Sequence, residues 1–146
     1  MYSNQEAFDL VVEKLVAQGE PAMRGEVDKT CVYFAYNGNR CAAGHLVPAN
    51  LISKVDDWGT DWSSICVDGW GTDWNSICTD VPEAKEIADQ KFILALQNAH
   101  DFPALNPAIY YNWRTGWVSK MREVATDYRL DLTKLDELAT EEWQKE

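Results

Sequence analysis

The sequence predicts an α+β fold in a single domain, with about four helices packed around one short antiparallel β-hairpin. Three observations carry that expectation. Residues 31–48 (CVYFAYNGNRCAAGHLVP) gather β-branched and aromatic residues around an Asn37-Gly38 turn signal. Apolar residues on either side recur at three-to-four spacing, the period of an amphipathic helix. The chain has 146 residues, 46% hydrophobic and 12% aromatic. That is enough for one domain burying about 68–70% of its unfolded surface.

Ser3 and Glu6 form a capping-box signature ahead of Phe8, Val11, Val12, Leu15 and Val16, the stripe of a first helix. Gly19 ends it and Pro21 prevents resumption, leaving residues 20–30 as a loop. In the hairpin, Asn37-Gly38 tolerates the positive φ of a two-residue turn, which pairs Tyr36 with Asn39 and sets Cys31 near the open end. The chain returns through residues 39–43, and Pro48 closes the segment. A lone hairpin is marginal in water, so one face must lie on helices. Asp80, Pro82 and Glu83 open a second, central helix carrying Ile87, Ala88, Phe92, Ile93, Leu94, Ala95 and Leu96, which Pro103 ends. Asn106-Pro107 starts a third, with Tyr110, Trp113, Trp117, Met121, Val124 and Tyr128 on one face and Thr115-Gly116 as the point of a kink or a split. Thr133 and Asp136 begin the last, with Leu135, Leu138, Ala139 and Trp143 as its stripe.

Between hairpin and central helix lies a tandem repeat of period 12 over residues 55–78, VDDWGTDWSSIC followed by VDGWGTDWNSIC, matching at ten of twelve positions. Two copies are too few for a solenoid, so the repeat reads as an insertion in a connection, which costs little entropy. Its four tryptophans represent about 600–1,000 Å² of potential burial at about 150–250 Å² each. That exceeds the largest apolar patch of a typical monomer, about 300–600 Å². These rings must pack inward, pack on each other or form an interface. Six aspartates (56, 57, 61, 68, 73 and 80) accompany them, with no Lys or Arg between Lys54 and Lys85. Asp56, Asp57, Trp58, Asp61, Trp62, Asp68, Trp70, Asp73 and Trp74 are therefore the candidate partner-binding residues. A self-packed lobe with solvated aspartates is the alternative, and the spacing is not that of a calcium loop.

Candidate chemistry centres on Cys31, Cys41, His45 and His100. Zinc takes four thiolate or imidazole ligands in a tetrahedron, and Cys41 and His45 share a face only if that segment is helical. No Cys-x-x-Cys knuckle is present, and cysteine is among the most buried residue types on packing grounds alone. Core cysteines are favoured, with no cofactor expected and zinc as the alternative. Cys66 and Cys78 hold equivalent repeat positions, which duplication explains without a disulfide or metal pair. A cysteine–histidine nucleophile pair lacks a secure third group, although Asp101 adjoins His100. No phosphate-binding glycine loop, Gly-x-Ser-x-Gly or His-Glu-x-x-His occurs.

Net charge is −11, from 24 acids against 13 bases. Such a surface repels phosphate, which disfavours direct nucleic-acid binding. It keeps a small protein soluble, and it steers the chain toward basic partners, including a protein surface that normally holds DNA. No run approaches the roughly 18 apolar residues of a membrane span, and residues 1–6 do not look like a signal peptide. A cytoplasmic location with reduced cysteines is expected.

Gln18-Gly19, Cys31-x-Tyr33, Gly38, Cys41-Ala42-Ala43-Gly44-His45-Leu46-Val47-Pro48 and Leu96-Gln97-x-x-His100-Asp101 together resemble a family of small proteins encoded by tailed bacteriophages and prophages. Members carry Cys-Ala-x-Gly-(Cys/His)-Leu-(Ile/Val)-Pro, usually followed by an acidic pair where this chain has Ala49-Asn50. The resemblance covers roughly residues 5–101 and implies a viral protein in the cytoplasm of a host cell, with no activity attached. Charge, repeat and resemblance together lead to a non-enzymatic interaction protein that binds a host protein, with inhibition of a defence nuclease as one form of it. The alternative is a small enzyme or ligand-binding domain with a pocket near Cys41, His45 and His100.

Overall fold

The structure, a computed structural model, describes residues 1–24, 30–31, 33–35, 37–48, 50–51, 74, 78–79 and 82–146. The described fold is mostly helical, which corrects the α+β expectation. Among the described residues six α-helices have defined bounds, in the order α1 (Asn4–Gln18), α2 (Ala42–Leu46), α3 (Gln90–Leu105), α4 (Trp113–Tyr128), α5 (Thr133–Leu138) and α6 (Glu141–Lys145). Among the described residues, extended pairing is confined to β1 (Met23–Arg24) against β2 (Thr30–Cys31), with Met23 opposite Cys31, and to one isolated bridge between Phe34 and Arg40.

The expected hairpin fails for a local reason. A turn does form, with the Gly38 N–H donated to Ala35 O at 3.0 Å and Gly38 at φ 93°. The register is Phe34 opposite Arg40, one residue off the expected one, and a one-residue slip exchanges the faces of a strand. Cys41 does not continue the strand. It N-caps α2, its Sγ accepting from Gly44 N–H at 3.3 Å, so helix begins where the return strand was expected.

α1 carries the expected capping box at Ser3 and Glu6 and ends at Gly19 in the left-handed region, φ 77°. No basic residue lies in its last turn. Other elements complement its carbonyl end: Arg114 Nε donates to Gly19 O at 2.8 Å and Trp143 Nε1 to Val16 O at 3.2 Å. The central helix opens later than expected. Residues Pro82–Glu86 form a 3-10 helix, and Asp89 caps α3 by accepting from Lys91 N–H at 3.0 Å. α3 also runs through Pro103 to Leu105, since a proline in the last turn removes only one ladder bond.

α3 and α4 form the main helix pair. Gly116 does not split α4, which runs unbroken from Trp113 to Tyr128. It sits where a Cβ would come within 2.6 Å of Pro103 Cβ and 2.8 Å of the Tyr110 ring, so it lets the two helices approach. The expected last helix is two, α5 and α6, with Thr140 capping the second at Trp143 N. α1 packs on α2 and α5, α2 on α3, and α6 on α4, around one continuous buried core. No described helix is long and apolar enough to cross a membrane.

Candidate functional site

The site begins at the start of α2. Arg40 is the non-hydrogen-bonded partner of Phe34, so its N–H and C=O point away from the ribbon. The Gln18 side chain at the end of α1 takes both. Its Oε1 accepts from Arg40 N–H at 2.8 Å, and its Nε2 donates to Arg40 O at 2.9 Å. One amide side chain thus does the work of a neighbouring strand. His45 lies 2.9 Å from the same Oε1 through Nε2, and since that oxygen only accepts, Nε2 carries the proton. Burial first, then the nearby positive charges of Arg40 and Lys14, pull the His45 pKa down to about 4.

The inner half of the site is a chain of buried polar groups along α3. Gln97 Oε1 accepts from Ala43 N–H at 3.0 Å, satisfying a donor that the first turn of α2 leaves free. Gln97 Nε2 donates to the Asp101 carboxylate at 3.2 and 3.3 Å. Asp101 Oδ1 is 2.7 Å from His100 Nδ1, and His100 Nε2 accepts from Ala22 N–H at 3.0 Å. Because Nε2 accepts, the Nδ1 proton points at Asp101. His100 is fully buried and stands edge-on to Trp113, 5.7 Å between centroids. Trp113 Nε1 donates to His100 O at 2.9 Å. Burial above all, and then the Asp101 charge, raise the Cys41 pKa, which keeps the proton on sulfur.

These geometries decide among the sequence-based candidates. The segment from Cys41 to His45 is helical, with His45 N–H donated to Cys41 O at 3.0 Å, as a shared metal face requires. The side chains nevertheless diverge: Cys41 Sγ turns back to Gly44 N–H, and His45 turns to Gln18. His100 spends both nitrogens on protein groups, within the body of α3 and not at its end. Among the described residues no group of three or more His, Cys, Asp or Glu converges to hold a metal. The side chain of Cys31 lies outside the described residues, as does Cys66; Cys78 is a free, buried thiol. Of the candidate partner-binding residues, Asp56, Asp57, Trp58, Asp61, Trp62, Asp68, Trp70 and Asp73 lie outside the described residues. Trp74 is buried, 1% exposed, edge-on to Tyr33 with 6.2 Å between centroids, so it belongs to the core and not to a docking face.

Sequence reasoning gave no bonding role to Gln18, Gln97 or Arg114, although the first two stand in the quoted motifs. A signal existed for Gln97, since it shares a helix face with His100 and Asp101 at i+3 and i+4. Comparison of the chain with protein-family models, curated proteins and solved structures finds no match. The likeness to phage proteins therefore rests on its motif residues alone.

Proposed function

We propose that this chain is a non-enzymatic, acidic binding protein of the phage type, acting on a host protein that presents a basic surface. The observation that carries the reading is the closed state of the one cysteine–histidine constellation the structure describes. Cys41 is fully buried and holds its proton, and His100 has neither nitrogen free to take one. A nucleophile needs a thiolate and a base with an open lone pair. The same closure counts against the alternative of a ligand pocket beside Cys41, His45 and His100. The charge of −11 supplies the attraction for a basic partner, and a surface that otherwise holds DNA, such as a defence nuclease, has the matching chemistry.

The test is capture from host lysate, identification of the retained protein, and reassembly of the purified pair. Affinity should fall about tenfold or more between 50 and 500 mM salt, since exposed charges are screened over a few ångströms at high salt. Asp→Asn changes at positions 56, 57, 61, 68 and 73 should flatten that dependence. A salt-independent complex would reject the electrostatic reading.

A further inference from the structure

We infer that residues 106–112 form a docking knob that enters an apolar socket with a lysine- or arginine-rich rim on a partner protein. The inference rests on the binding-protein reading and adds the surface that binds. The segment Asn106-Pro107-Ala108-Ile109-Tyr110-Tyr111-Asn112 carries no charge in a chain that is 25% charged. Ile109 is 61% and Tyr111 80% exposed, joined among the exposed large hydrophobics by Met1 and Tyr2 at the chain start. The knob is nonetheless fixed at both ends. Asn106 Nδ2 donates to Phe102 O at 2.8 Å, and Ile109 N–H to Asn106 O at 3.1 Å. Asn112 Oδ1 caps α4 through Thr115 N–H at 2.8 Å, while its Nδ2 donates to Gln144 O at 2.6 Å. Tyr110 lies edge-on to Phe102, 6.4 Å between centroids, over the space that Gly116 leaves. Aromatic and aliphatic side chains held in place bind with little further ordering cost.

Charge selects the occupant. The Asn112–Gln144 bond sets α6 beside the knob, and the exposed charges there are Glu141, Glu142 and Glu146 against Lys145. The two nearby cations of α4 are already engaged. Arg114 donates to Gly19 O and Trp143 O and lies 3.5 Å from Glu146, so Glu141 and Glu142 are the acids that set the sign of the rim. Lys120 lies 4.5 Å over the Phe102 ring and 3.3 Å from Glu123. The rim is acidic, so its complement is basic. A second copy of this chain would bring the same acids to the same contact.

The test uses the full chain and a β-cyclodextrin bearing ammonium groups on one rim, an apolar cavity with a basic edge, with neutral β-cyclodextrin for comparison. In an NMR titration at low salt, shifts should cluster on residues 108–112, and the ammonium host should bind about fivefold tighter or more. Ile109→Ser with Tyr111→Ser should abolish binding of both hosts with an unchanged melting temperature. Glu141→Gln with Glu142→Gln should remove the preference and spare the neutral host. Equal affinity for the two hosts, or shifts centred elsewhere, would overturn the inference. So would a concentration-dependent dimer in sedimentation that Tyr111→Ser abolishes, because the occupant is then a second copy. If lysate capture succeeds and the Ile109→Ser, Tyr111→Ser variant retains the same protein, the knob is wrong and the binding function stands. If capture fails while the ammonium host binds as expected, the function fails and the surface chemistry stands.

Discussion

Cys41 illustrates how one side chain closes off one chemistry while building another structure. Its sulfur caps α2, and its burial beside Asp101 holds the proton on. In the native protein at pH 8, Cys41 should resist alkylation at least about a hundredfold relative to the unfolded chain, read by peptide mapping of the modified thiols. Native labelling at the unfolded rate would reopen the catalytic reading. His45 makes a second prediction. Its folded pKa, about 4, lies below the ordinary histidine value of about 6.5. The unfolded chain therefore binds the extra proton first as pH falls. The contribution of His45 is full above about pH 6.5 and is lost progressively as pH drops toward 4. After allowance for the half-buried ring, the loss is on the order of 1 kcal/mol. His45→Gln keeps a donor for Gln18 and should flatten this part of the stability profile, measured by urea unfolding at steps from pH 7 to 4. A parallel slope in the variant would assign the acid sensitivity to carboxylates instead. Sequence alone pointed to Cys31, Cys41, His45 and His100 as a cluster, with Asp101 beside His100. It was silent on how they are used, because direction is set by Gln18 and Gln97, whose amides match backbone groups that only the fold brings near.

Elements were legible where the local signal and the packing agree. The capping box and Gly19 delimit α1 at both ends as expected. The apolar stripe of α4 is also where the spacing put it, though the helix begins at Trp113 under an Asn112 cap and not at Pro107. The hairpin was misjudged because β propensity is a statement about fitting a half-buried pleat, and here a short helix cuts the return strand to the Phe34–Arg40 bridge, whose outer edge a glutamine side chain covers. Gly116 shows the same conflict in a helix. Intrinsic propensity favours alanine there by about 1 kcal/mol. The added Cβ would meet Pro103 and the Tyr110 ring well inside van der Waals contact, and overpacking of this kind costs about 1–3 kcal/mol. Gly116→Ala should thus lower stability in chemical denaturation, and Gly116→Val should lower it further. An alanine variant more stable than the parent would mean that the α3–α4 contact is looser than described.

At the scale of the whole molecule, the two ends of the chain are fastened to each other through one aromatic stack. Trp113 and Trp117 stack at 5.6 Å and 12°. Trp143 meets Trp117 edge-on at 5.8 Å, and Arg114 lies 4.8 Å over the Trp143 ring. Trp143 and Arg114 also cap the carbonyl end of α1, so α6, a helix too short to persist alone, is held by what it covers. Its removal should be felt at the opposite terminus. Trp143→Ala takes away a half-buried indole and the Val16 bond, at a cost of about 2–4 kcal/mol. Trp143→Phe keeps most of the ring contact and should cost about 1 kcal/mol. The informative measurement is native-state hydrogen exchange. In Trp143→Ala, amides in the last turn of α1 should lose protection along with those of α6, while those of α3 change only as much as global stability does. Loss confined to α6 would show that the chain end merely rests on the surface and that α1 is closed by Arg114 alone.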